Sequence, residues 1–292
     1  MQTHWTDYIT HLRLRFQFLL SPIFLLGALL SGEPVGWRLL VAYLAFHLFL
    51  YAGVTALNSA YDKDEGPVGG LENPPAPPPH LLLFSIVWQL IGLALAVATN
   101  PIFAAVYAII FVLSFAYSYP RIRFKGRPLA ALATVALGQG ILPYLAAWSL
   151  PHAEIRSAFS ASGLLGMLMA TAITVGFYPL TGIYQLDEDA QRGDLTPALW
   201  LGPARSFYFA GAWIVLGGVS ALILALHKFT PVEAGGLAVA IAAILLYLAR
   251  WGRAFRADDI HGNFRRIMAL YSVSTLGFTI WIGARLALAS WH

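Results

Sequence analysis

Nine predominantly apolar runs divide this chain of 292 residues, and they limit what it can fold into. A helix crosses roughly 30 Å of hydrocarbon with about 20 such residues. The runs are Phe16 to Leu30, Trp37 to Leu57, Leu81 to Ala98, Pro101 to Tyr119 and Pro128 to Ser149. The rest are Ser160 to Gly182, Arg205 to Leu226, Pro231 to Ala249 and Ile267 to Ala289. They are continuous rather than alternating, which predicts helices and not the strands of a membrane barrel. Apolar residues make up 59% of the chain and charged residues 11%, with a mean hydropathy of +0.69. An average soluble domain has about 25% charged residues, so this composition excludes a disordered chain and nearly excludes a soluble enzyme. The expectation is an all-α, polytopic membrane protein with nine transmembrane helices, forming one domain over residues 1–292.

Short turn-like breaks such as Thr99-Asn100-Pro101 separate the runs. The first run follows Arg13 and Arg15 but shows no small-x-small cleavage site, so it is read as a retained span. Cysteine is absent, which excludes disulfides, thiolate metal sites and a thiol nucleophile. The histidines, His47 included, show no metal-ligand spacing.

A net charge of +4 does not call for nucleic acid here, because topology accounts for it. With the N-terminus in the cytoplasm, 14 of the 18 basic residues fall inside, leaving Arg38, Arg156, Lys228 and Arg285 on the other side. Nine spans then put the C-terminus on the opposite side. The long connections Asn58 to His80, Pro120 to Arg127, Ile183 to Ala204 and Arg250 to Arg266 are also cytoplasmic. Long loops are more often functional, so the working face is expected there.

Acids contribute little to orientation, yet 11 of the 14 lie on that face. Seven form two groups, Asp62/Asp64/Glu65 after the second span and Asp187/Glu188/Asp189/Asp194 after the sixth. Asn58 and Asp62 are four residues apart, as are Gln185 and Asp189, so each pair stacks on one helical face. Gly66-Pro67 is expected to end the first helix, and Gly193 follows the second pair. Clustered carboxylates repel unless neutralised, and oxygen donors suit Mg²⁺ bridging to a phosphate or diphosphate. The alternative is a pair of solvated loop charges.

Acidic loops follow spans two and six, and basic loops follow four and eight. This suggests two pseudo-repeated four-helix halves plus a ninth helix, with both acidic motifs facing a central cavity. The fourth-span loop, Tyr117-Ser118-Tyr119-Pro120-Arg121-Ile122-Arg123-Phe124-Lys125-Gly126-Arg127, supplies cations for a diphosphate leaving group. Positive-inside bias is its other explanation, and the one preferred for Arg127.

On these residues the chain resembles the UbiA superfamily of intramembrane prenyltransferases. That family has nine helices around a central cavity, an NDxxDxxxD motif after the second, a second Asp-rich motif after the sixth and a Tyr-Ser-x-Pro segment after the fourth. Asn58, Asp62, Asp189 and Gly193 match, whereas Ser59, Gly66 and Gln185 stand where the family motifs usually have Asp. A divergent member is implied.

The resemblance implies Mg²⁺-dependent transfer of a prenyl group from a polyprenyl diphosphate to an aromatic or other lipophilic acceptor, within membrane lipid. It implies Asn58, Asp62, Asp64, Asp187 and Asp189 as metal ligands. Asp62, Asp189 and Lys125 would be catalytic. Asn58, Arg123, Arg192, Tyr117, Tyr184 and Gln185 would bind substrate. Tyr61 and Phe177 are further aromatics that could face a carbocation, although packing is the commoner role. Gln139, inside the fifth span, is either bonded between helices or part of the cavity wall. Gly138, Gly140 and Gly166 permit close helix approach or make room for a prenyl tail. A terpene cyclase of the same superfamily is the alternative enzyme. A non-catalytic lipid-binding or transport protein is the alternative class, although transporter sites lie near the midplane rather than at helix ends.

Overall fold

The computed structural model describes residues 5–289; residues 1–4 and 290–292, which belong to the expected single domain, lie outside the described residues. Among the described residues, nine helices are long and apolar enough to cross a membrane. They are α1 (Trp5–Ser31), α2 (Trp37–Asp62), α3 (Leu81–Thr99), α4 (Pro101–Ser118) and α5 (Pro128–Trp148). Then come α6 (Ala161–Thr181), α7 (Pro197–Lys228), α8 (Pro231–Arg253) and α9 (Ile260–Leu288). One isolated bridge, Val68 to Leu71, is the only extended pairing among the described residues. The nine expected spans are therefore all present.

Their ends follow from local chemistry. Asn100 caps α4 by accepting from the Phe103 amide at 2.8 Å, and Pro101 occupies the first turn, where no amide is needed. Thr230 and Glu233 form a reciprocal capping box at the start of α8. Several boundaries differ from the sequence reading: α1 reaches back to Trp5 and α9 to Ile260, ahead of Phe16 and Ile267. The stretch Pro197–Lys228 holds a short helical segment ahead of non-helical backbone at Gly202 (φ +72°), and the long helix that contains the run from Arg205 follows that break. The second helix ends at Asp62 rather than Gly66, because Lys63 turns left-handed at φ +54° and closes the last turn through its amide to Ser59.

α6 is the most buried span and α8 the least. Close approach beside α6 depends on Gly166, where an added Cβ would lie 2.7 Å from the Tyr144 hydroxyl. Two spans widen locally into π-helical turns, Ala45–Tyr51 in α2 and Ala136–Ile141 in α5. Such turns are frequent at functional sites. The Tyr51 hydroxyl joins them by donating to the Gly138 carbonyl at 2.9 Å.

The connection after α2 lies over one end of the bundle. Gly69 and Gly70 rest on the Phe16 ring, and Glu72 pairs with Arg265 at 3.0 Å near the start of α9. At the other end Glu233 accepts from Trp281 at 2.8 Å and Arg285 at 2.6 Å, tying α8 to α9. Between these ends the two helices stand apart and leave an apolar groove of about 550 Å³.

Candidate functional site

Both acidic motifs meet in one chamber of about 200 Å³, at the bundle end that carries the long connections. Its walls include Asn58, Asp62, Asp64, Tyr117, Lys125, Tyr184, Gln185, Asp189 and Arg192. The last turn of α2 presents Asn58 and Asp62 on the same face, as their spacing predicts. Asp64 reaches the chamber from the turn that begins at Lys63.

The second motif arrives differently. α6 stops at Thr181, and a separate short helix, Leu186–Gln191, carries the acids. Gln185 precedes its first turn, and its carbonyl accepts from the Asp189 amide at 2.9 Å. Asp189 points inward and is buried, whereas Asp187 is exposed and is not part of the chamber wall. Two residues of helix are about 200° of rotation, so the pair cannot share a face. Gly193, at φ +77°, then turns the chain so that Asp194 also enters the wall.

Cations from the α4–α5 connection and the short helix interleave with these acids. Lys125 and Arg123 both hold Asp62, the arginine at 3.3 Å. Arg123 grips Asp194 with a two-pronged fork, both contacts at 2.6 Å. Arg192 joins Asp64, at 2.5 Å, to Glu188. Glu188 accepts in turn from the Glu65 amide at 3.3 Å, linking the two motifs directly. The basic loop is docked by the Leu195 amide, which donates to the Gly126 carbonyl at 3.1 Å. A Cβ at position 126 would lie 2.5 Å from Asp194 Oδ1, so a larger residue there would have to displace that carboxylate. Arg123 therefore braces the wall from behind rather than lining it.

Burial raises the Asp189 carboxyl to about 6, and the Asp194 charge adds to the rise; Thr196, Arg192 and Lys125 oppose it. Burial also pushes the Tyr184 phenol well above its ordinary value. Tyr117 and Tyr178 share a hydroxyl–hydroxyl bond of 2.6 Å in the chamber wall. Asn58 donates to Ser118 at 3.3 Å. Gln139 is part of the wall, which answers the sequence ambiguity. Tyr61 packs against Tyr119, and Phe177 against Tyr271, both outside the polar wall.

The sequence reading placed Asp194 in the second acidic group but not among the ligands, and assigned no site role to Arg13, Tyr178 or Thr196; all four line the chamber. Asp194 had a signal in the preceding Gly193. Arg13 read as topology charge, and nothing local marked Tyr178 or Thr196.

The donors facing the chamber are hard oxygens, which is the set Mg²⁺ prefers. Their carboxylates face cations rather than one another, and among the described residues no group of three or more acids or histidines is arranged to hold a metal. A metal fits this donor set only by exchanging with those ion pairs.

The polar chamber continues into apolar space. It shares Leu19, Leu20 and Tyr271 with an apolar cavity of about 70 Å³. That cavity shares Leu237, Ile244, Ser274 and Phe278 with the groove between α8 and α9.

The model of the UbiA prenyltransferase family matches residues 19–273. Comparison with curated proteins finds no match. Among solved structures, a UbiA homolog from Archaeoglobus fulgidus bound to GPP and Mg²⁺ is 19% identical with a TM-score of 0.61, covering 93% of this chain and 99% of that one. The same homolog bound to DMAPP and Mg²⁺ is 20% identical with a TM-score of 0.62, covering 93% and 98%. A digeranylgeranylglyceryl phosphate synthase is 15% identical with a TM-score of 0.66, covering 97% and 98%. At these identities the likeness is one of fold.

Proposed function

Because the chain belongs to the UbiA prenyltransferase family, we propose that its chamber transfers a prenyl group from a polyprenyl diphosphate to an aromatic or other lipophilic acceptor, with Mg²⁺, at the cytoplasmic side. One observation carries this reading: two acidic motifs 127 residues apart (Asp62 to Asp189) converge with Lys125 and Arg192 on a polar chamber that leads into apolar space. A diphosphate headgroup with a hydrocarbon tail has that division of chemistry. The solved homolog bound to GPP and Mg²⁺ supports it.

Asn58, Asp62, Asp64 and Asp189 are the residues that would hold Mg²⁺. The ion would supply positive charge against the diphosphate and so make it a better leaving group. With Asp62 and Asp64 holding the ion, Lys125 and Arg192, which these carboxylates engage in this structure, would be available to phosphate oxygens. Arg123 stays forked on Asp194 and keeps the basic loop in place. The allylic C–O bond then breaks, the diphosphate leaves with the electron pair, and the acceptor adds to the allylic cation and loses a proton. Tyr117 and Tyr184 line the wall where that cation would form, and Gln185 adds a neutral polar contact.

The test is diphosphate release by the purified protein from geranyl and longer prenyl diphosphates, with and without a panel of aromatic acceptors. Mass spectrometry reads the organic product. A prenylated acceptor supports transfer; a cyclic hydrocarbon from the diphosphate alone identifies a cyclase. No Mg²⁺-dependent release from any diphosphate overturns both.

A further inference from the structure

Many cations at the chamber end of the bundle are matched to acids. Lys125 holds Asp62, Arg192 holds Asp64, Arg265 holds Glu72 and Arg266 holds Asp259. Arg127, Arg205, Arg250 and Arg253 are different. Among the described residues their side chains make no ion pair and no hydrogen bond, and all four are exposed.

Three elements bring these four together. The Leu195 amide, bonded to the Gly126 carbonyl at 3.1 Å, sets Arg127 beside the short segment that opens α7. Two residues beyond Arg205, the Phe207 ring packs on Trp251 at 5.0 Å and on Phe255 at 5.8 Å. That contact brings the Arg205 turn of α7 against the Arg253 end of α8. Arg250 stands three residues before Arg253 and shares its helical face.

The opening segment of α7 has two sides. Pro197 and Ala198 are buried and line the chamber. Trp200 is 46% exposed, and Tyr208, beyond the break at Gly202, is 80% exposed. Among the described residues neither the Trp200 indole N–H nor the Tyr208 hydroxyl has a partner. Such rings favour the headgroup level of a bilayer, where the body is apolar and the polar tip is wet. Topology bias accounts for each cation singly. It does not gather four of them, from three elements, onto one edge beside two exposed rings with free donors.

We propose that this edge, Arg127, Arg205, Arg250 and Arg253 with Trp200 and Tyr208, binds the headgroup of an anionic phospholipid. The four guanidinium groups complement its phosphate, and the indole and phenol donate to its remaining oxygens. A zwitterionic headgroup would set its own ammonium among four cations, whereas an anionic one does not. The lipid seats against the outer side of the chamber wall, whose inner side is Pro197 and Ala198. This site stands whether or not the chamber transfers a prenyl group.

The test titrates the full chain in detergent micelles by native mass spectrometry. The probes are phosphatidylglycerol, phosphatidylcholine and glycerol phosphate. Wild type should bind phosphatidylglycerol at least about ten-fold more tightly than either of the others. Arg205→Gln combined with Arg253→Gln should weaken phosphatidylglycerol roughly ten-fold. Arg15→Gln combined with Lys63→Gln removes the same charge from exposed positions on α1 and the turn after α2, and should change it by less than about two-fold. A photoreactive phosphatidylglycerol should label residues 195–208 of wild type, a reading that needs no variant. Equal binding of the two phospholipids, equal losses in the two double variants, no loss in the first, or labelling confined to other segments would overturn the proposal. Glycerol phosphate binding as tightly as the lipid would make the occupant a soluble anion and overturn it as well.

Discussion

Asp62 and Asp189 are far apart in sequence, yet both carboxylates are buried in one wall, Asp62 paired with Lys125 and Asp189 within reach of its charge. Each is expected to be needed for diphosphate release. Asp62→Ala and Asp189→Ala should each lower the initial rate at least about 100-fold, the scale on which loss of a metal-site partner acts. Full activity in both variants would remove the site. Asp189 also sets a pH dependence. Its carboxyl is raised to about 6 by burial, so below that pH a proton occupies the oxygen that Mg²⁺ needs. Mg²⁺ affinity should therefore fall as pH drops through about 6 and level off above about 7, with proton release on binding detectable by calorimetry in buffers of different ionisation enthalpy. A flat profile between about pH 5 and about pH 7 would show that Asp189 is no ligand. Asp187, by contrast, is exposed and outside the wall, so Asp187→Ala should change the rate by less than about two-fold in the same assay.

At the scale of elements, what was legible in the sequence was what is local. Apolar runs, helix caps and four-residue spacings gave all nine spans and the facing of Asn58 and Asp62. The short helical segment from Pro197 was not legible in that way, because non-helical Gly202 separates it from the apolar run that begins at Arg205. The interleaving of acids with cations was equally hidden. Arg123 and Asp194 are 71 residues apart, and no spacing rule connects them. Their fork depends on the absence of a side chain at Gly126. Gly126→Ala should push Asp194 off Arg123, since overpacking by one methyl costs roughly 1–3 kcal/mol when neighbours cannot move. The expected readings are a lower melting temperature and a loss of diphosphate release. Gly211→Ala is the control, because open space surrounds Gly211.

For the whole molecule, sidedness is the main quantity to measure. The chain has no cysteine, so a single introduced thiol reports one position without background. Lys63→Cys should react with an impermeant maleimide only in inverted vesicles, and His152→Cys, in the connection between α5 and α6, only in intact cells; both residues are exposed. The reverse pattern would place the chamber on the other side of the membrane.

The splayed pair α8 and α9 has a kinetic consequence. If a tail enters the chamber through the groove between them, its supply is fixed by its mole fraction in the bilayer, not by its concentration in the buffer. Diluting proteoliposomes with buffer should leave the rate per protein unchanged, whereas fusing them with inert lipid should lower it in proportion to the added lipid. The enzyme would then obey surface-dilution kinetics, with membrane area taking the place of volume.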